Sequence, residues 1–151
     1  MRAGLQIDER HAHFFYIDRY PVGLDATVFV SGTQTFDLKW TNDTPNPIVI
    51  RAYTTPGVRS TIVIQLWSEP LDRKVSLSAP YKANLIPASK STQLTTKLAP
   101  GIWGWQELPR DGFQTERTRI VTDSKGKVLH KDVWISKYIK VDGLKLIGKA
   151  V

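Results

Sequence analysis

Phe113-Gln114-Thr115-Glu116-Arg117-Thr118-Arg119-Ile120-Val121, then Thr122-Asp123-Ser124-Lys125-Gly126, then Lys127-Val128-Leu129-His130-Lys131-Asp132-Val133-Trp134-Ile135-Ser136-Lys137-Tyr138, is the stretch that decides the fold. Its two flanks are rich in β-branched and aromatic residues, and the five residues between them are polar and end in glycine. That arrangement predicts two antiparallel strands, 113–121 and 127–138, joined by a short turn.

Strand signals continue upstream. Thr92 to Leu98 predicts a strand that breaks at Pro100-Gly101, ahead of Trp103-Gly104-Trp105. Ala26, Val28 and Val30 alternate with Thr27 and Phe29, and Phe36, Leu38 and Trp40 alternate with Asp37 and Lys39. Ser31-Gly32-Thr33-Gln34 supplies the turn between these two runs. Thr41-Asn42-Asp43-Thr44-Pro45-Asn46-Pro47 closes the second, because its prolines stop any helix from crossing it. Ile48 to Tyr53 and Thr61 to Trp67 flank Thr54-Thr55-Pro56-Gly57, a turn signal suited to an antiparallel pair. Residues 79–91 lose the alternation and carry Pro80 and Pro87, so a linker is expected there. The opening Met1-Arg2-Ala3-Gly4 reads like the end of a helix and its glycine stop, as though the chain began in mid-fold.

The expectation is therefore an all-β chain of two small antiparallel units of sandwich or meander type, 1–78 and 92–151, joined by the linker 79–91. Composition agrees with it. The 151 residues are enough to bury a core, and five each of Trp, Tyr and Phe, punctuated by nine Pro and ten Gly, favour short strands over long helices. There is no cysteine, which excludes disulfides, thiolate metal sites and a cysteine nucleophile within this chain. No stretch reads as a signal peptide or as 18 apolar residues in a row, so any export signal is expected upstream of Met1, and no membrane span is expected.

The net charge of +7 is spread along the chain, and its densest stretches fall in the last third. Arg117, Arg119, Lys125, Lys127, Lys131, Lys137, Lys140, Lys145 and Lys149 are separated by apolar strand residues. Solvated strand faces account for this pattern, an anionic cell-surface polymer is the next reading, and nucleic acid is the least favoured partner.

Two constellations carry possible chemistry. His11 and His13 lie two apart, so on a strand both rings face one side, with Asp8, Glu9 or Asp25 able to add a carboxylate. This suits polar strand residues, two ligands of one metal, or a fragment of a Cys/His/Asp site. His11, His13 and Asp25 are the catalytic candidates, and no metal set is fixed by the spacing. Trp103 and Trp105 put two indoles on one side of an extended segment, as a sugar-stacking platform or as core. Trp103, Trp105, Arg117 and Arg119 are the binding candidates. Gly23-Leu24-Asp25 is too short for a phosphate loop, and no serine sits in a nucleophile elbow. No cofactor is called for.

Four blocks then resemble one family. Ala3 to His13 (AGLQIDERHAH) resembles the AGLEIVERHPHS stretch of the VanW family, and Pro21 to Val28 (PVGLDATV) resembles its PxGLDATV stretch. Phe36 to Thr44 (FDLKWTNDT) and Pro47 to Tyr53 (PIVIRAY) are similar to DFKFKNNT and PILIRAY, all in family order. Residues 113–148 are similar to the tail behind VanW domains and to the five-glycine cell-surface domain, where a TVTDxxGKVL hairpin leads to S.Y and a glycine close. Here these are Ile120 to Leu129, Ser136-Lys137-Tyr138 and Gly148. The family's GGGICQVSS segment is missing, and with it the one cysteine suited to nucleophilic attack.

The resemblance implies the C-terminal half of a VanW domain in an exported, extracytoplasmic cell-envelope protein linked to glycopeptide resistance. Acting alone, this chain is expected to bind or support rather than catalyse. Its expected partners are the cell wall, as peptidoglycan or anionic polymer, or the N-terminal part of its parent. The rival reading is a fragment of a Cys/His/Asp peptidoglycan-modifying enzyme.

Overall fold

The computed structural model describes residues 1–57 and 61–150. Among these the chain forms strands and no helix: β1 (Gln6–Glu9), β2 (Phe29–Ser31), β3 (Gln34–Phe36), β4 (Lys39–Thr41), β5 (Val49–Thr55), β6 (Thr61–Trp67), β7 (Arg73–Leu77), β8 (Tyr81–Ile86), β9 (Lys90–Thr95), β10 (Trp103–Glu107), β11 (Gly112–Asp123), β12 (Val128–Tyr138) and β13 (Gly143–Gly148). The all-β reading holds. No helix here is long and apolar enough to cross a membrane.

The expected hairpin is the centre of the fold. β11 and β12 pair antiparallel from Phe113↔Tyr138 to Thr122↔Val128. Their turn is fixed by Asp123, whose Oδ1 accepts the main-chain N–H groups of Lys125 and Lys127 at 2.9 Å each. The other edge of β11 is shared. β8 pairs with its first part, Gly112 to Glu116, and β7 with its second, Arg119 to Asp123. Three two-stranded hairpins or ribbons (β1 with β4, β2 with β3, β5 with β6) and a three-stranded sheet, β10-β13-β9, complete the set. In the last sheet β13 runs antiparallel to β10 and parallel to β9. Gly148 lies where this sheet meets the 98–101 turn, and a Cβ there would stand 1.9 Å from the Ala99 carbonyl oxygen.

The stretch 79–91 departs from the expected open linker, since it holds all of β8 and the start of β9. Pro80 and Pro87 bracket β8 instead of interrupting it, so neither removes a ladder N–H. β8 is exposed at five of its six positions, which leaves no alternation for the sequence to display. Pairing also crosses the expected boundary at residue 78, because β7 is a ladder partner of β11. Further upstream, the run expected from Phe36 to Trp40 divides into β3 and β4. The opening residues form a turn ending at Gly4, with φ +75°. Val151, the end of the second expected unit, lies outside the described residues.

The inward face of the central hairpin is unusually polar. Val121 and Phe113 on β11 and Tyr138 on β12 are buried together with Thr115, Arg117, Arg119 and Ser136. Residues 1–25 lie across this face largely as irregular chain, and irregular chain brings carbonyl groups that no ladder satisfies. Arginines satisfy them. Arg119 donates to Met1 O at 3.0 Å and Leu5 O at 2.9 Å, and Arg73 donates to Gly4 O at 2.8 Å. The layer is close-packed as well. A Cβ on Gly23, which has φ +72°, would meet Arg117 Cγ at 2.7 Å.

Candidate functional site

Asp25 is the hub of the first site. It follows a turn closed by Leu24 N–H donating to Pro21 O at 3.0 Å, and it is 2% exposed. Its Oδ2 accepts the main-chain N–H of His13 at 2.8 Å and faces His13 Nδ1 at 2.9 Å. Its Oδ1 accepts the Tyr138 hydroxyl and, at 3.2 Å, Arg10 Nη2. The same Nη2 also donates to Ser136 Oγ at 3.2 Å. Arg10 packs its guanidinium over Trp134, 5.7 Å from the ring centroid.

Electrostatics follow from this crowding. Burial pushes the Asp25 carboxyl up, but the His13 N–H, the Tyr138 hydroxyl, the His13 ring and the Arg10 charge outweigh it and hold it below the usual carboxylate value. Burial and the hydrogen bond to Asp25 push the Tyr138 hydroxyl up to about 12, so it stays a donor. Burial also lowers Arg10 from the ordinary guanidinium value. The result is a fixed carboxylate that orients an imidazole. The His13 ring stacks on Tyr20 at 5.1 Å, and among the described residues its Nε2 has no hydrogen-bond partner. The pair has the geometry that a base and its orienting carboxylate take in a nucleophile–His–Asp arrangement.

His11 goes elsewhere. Its Nε2 lies 2.7 Å from Glu9 Oε1, and its ring meets Phe36 edge-on at 4.8 Å. The same-side expectation for His11 and His13 required a strand through residue 13, but β1 ends at Glu9 and the pair separates. Among the described residues no three His, Cys, Asp or Glu side chains gather as a metal would need.

A second carboxylate hub, at Asp43, was missed from sequence. It receives Arg73 Nη1 at 2.9 and 3.0 Å and the His130 ring at 2.7 Å. Burial raises it, yet the hydrogen bonds from Arg73 and His130 and the charge of Arg73 bring it down to about 2. No local signal links Asp43 to a histidine 87 residues away.

The expected binding arginines are internal. Arg119 is fully buried and donates from Nε to Asp132 at 2.7 Å besides its two carbonyls, while Arg117 is 8% exposed and reaches Val22 O at 3.5 Å. Both project from the inward face of β11, and their five-donor forks suit carbonyl capping. The lysines at 125, 127, 131, 137, 140 and 149 are exposed. Trp103 and Trp105 are exposed on β10, but the Lys145 ammonium already sits 3.9 Å above the Trp103 ring. Trp105 instead lines an open groove of about 620 Å³ beside Tyr16, Lys82 and Phe113.

Comparison with protein families follows the same blocks along the chain. Residues 1–67 match the family VanW like protein. Both carboxylate hubs, and Arg10 and His13, belong to this VanW-like segment. Their partners Arg73, His130, Ser136 and Tyr138 lie beyond it, so each hub ties the VanW-like segment to the β7, β11 and β12 sheet. Solved structures similar to part of the chain include the IgA1 protease G5 domain, at 15% identity, 52% of this chain, 94% of that one and TM-score 0.31. Another is HP0197-G5, at 13% identity, 50% and 99% coverage and TM-score 0.25. A comparison with curated proteins gives no match.

Proposed function

We propose that this chain is a non-catalytic, cell-wall-associated part of a VanW-like envelope protein linked to glycopeptide resistance, acting outside the cytoplasm. The carrying observation is the sorting of its cations. The arginines of β7 and β11 face inward onto carbonyls and carboxylates, whereas six of the seven lysines of the last third are exposed. A lysine-studded surface attracts an anionic polymer through screened charge. Exposed Trp103 and Trp105 add apolar contact that salt does not weaken.

A pull-down on purified cell wall with and without its anionic polymer, beside duplex DNA at the same ionic strength, tests this reading. Retention should fall when the polymer is removed or salt is raised. No retention on either wall preparation, or tighter binding to DNA, would refute it.

The His13–Asp25 pair favours one second reading, in which a nucleophile supplied from outside this chain completes a Cys/His/Asp peptidoglycan-modifying site. Here His13 Nε2 would take the nucleophile's proton while Asp25 holds the ring. Adding the upstream cysteine segment should then give wall-peptide turnover that His13→Ala abolishes. Activity that survives His13→Ala would dismiss it.

A further inference from the structure

We propose that the groove between residues 16–19 and strands β8, β10 and β11 binds a saccharide carrying a carboxylate. The groove's volume of about 620 Å³ falls in the range of about 300–1,000 Å³ typical of small-ligand sites. Its walls combine three features that such a ligand needs.

The first is a fixed aromatic surface. Trp105 is 36% exposed and packs over Gly143, where a Cβ would stand 3.0 Å from its Cζ3, so the indole rests against bare main chain. Also in the lining, the Tyr16 hydroxyl donates to Tyr20 O at 2.8 Å, and its ring packs edge-on against Phe113 and Tyr138, 5.5 Å from each. A pyranose presents an apolar C–H face to such rings.

The second is cationic charge without an internal partner. The Lys82 ammonium lies 4.6 Å from the Phe113 centroid and 5.9 Å from that of Tyr16, held by ring faces. Among the described residues neither Lys82 nor Arg19 has a carboxylate in ion-pair reach. A ligand carboxylate placed over Trp105 would meet these cations.

The third feature decides the class. Asp18 and Asp111 also line the groove, and Asp111 Oδ1 is fixed by the Ala88 N–H at 2.8 Å. Carboxylates accept hydrogen bonds from sugar hydroxyls, but they repel a chain bearing a negative charge on every unit, so the ligand carries a single carboxylate among neutral sugars. A saccharide with both hydroxyls and a carboxylate suits this mixed lining better than nucleic acid or a polyol phosphate does.

This deepens the wall-association reading, on which it rests only for the ligand's source. Calorimetric titration of the full chain with a disaccharide of one uronate and one neutral sugar, its methyl ester and a polyglycerol phosphate tests it. The uronate should bind at least ten-fold more tightly than the other two. Lys82→Met, which alters an exposed side chain, should weaken uronate binding at least ten-fold, Lys82→Arg should retain it, and Trp105→Ala should lose it. Equal affinity for acid and ester, no effect of Lys82→Met, or preference for the phosphate polymer overturns the proposal. Wall retention of Lys82→Met separates the two readings. Retention with uronate binding lost sinks the groove as the wall contact alone, and uronate binding without retention of the parent chain sinks wall association alone.

Discussion

Replacing Arg119 by Met should be the most damaging single change on the inward face of β11, because it keeps the packed stem and deletes only the guanidinium. That group makes three contacts, to Asp132 Oδ2 at 2.7 Å, Met1 O at 3.0 Å and Leu5 O at 2.9 Å, and it lies 5.5 Å from the Trp134 centroid. Removing one side of a buried charged pair costs about 3–5 kcal/mol, and each buried acceptor left unpaired adds about 1–3 kcal/mol unless water reaches it. With partial relaxation of residues 1–5, a loss of about 4 kcal/mol is expected. At a urea m value of about 2 kcal/mol/M the unfolding midpoint falls by about 2 M. Tryptophan fluorescence and far-UV circular dichroism during urea titration give the readout. Lys131→Met, on the exposed outer face of β12 in the same hairpin, should stay within about 0.5 kcal/mol of the parent. Adding Asp132→Asn to Arg119→Met should recover only part of the loss, since the Met1 and Leu5 carbonyls remain unpaired. A midpoint drop below about 0.5 M for Arg119→Met would refute the view that these arginines hold the N-terminal segment in place.

The two hubs give opposite pH signatures. Asp43 is near 3.8 when unperturbed and at about 2 in the fold, so its contribution is complete above pH about 4 and is lost as pH falls through 2. That difference is worth about 2 kcal/mol, and Asp43→Asn should flatten the stability profile between pH 4 and 2; an unchanged slope there would count against the Arg73–Asp43–His130 hub. Tyr138 moves from about 10 up to about 12, so its contribution is complete below pH 10 and is lost as pH rises through 12. Tyr138→Phe should cost about 1–3 kcal/mol at neutral pH and remove that alkaline loss. If the variant is as stable as the parent, the Tyr138–Asp25 bond is not the support described.

Local chemistry made much of the fold legible. The 113–138 hairpin, its Asp123 turn, the Gly32-Thr33 turn between β2 and β3, and the β5–β6 pair depend on alternation and turn residues only a few positions apart. The expected linker failed where that reach ends. β8 takes its identity from β11, a partner about 30 residues on, and an exposed strand need not alternate.

The candidate site divides the same way. Sequence brought forward His13 and Asp25, and their pairing is real, but it also joined His11 to them by extending a strand that stops at Glu9. It marked Arg117 and Arg119 by charge, a property that is the same on either face of a strand. Asp43, His130, Tyr138 and Lys82 carried no mark, because each gains its role from residues far along the chain. What the sequence by itself determined is therefore what neighbouring residues settle between them, namely strand, turn and the family resemblance of residues 1–67. Which charges lie inside as clamps and which remain outside in solvent was decided only by tertiary structure, since burial depends on what the folded chain lays over each face.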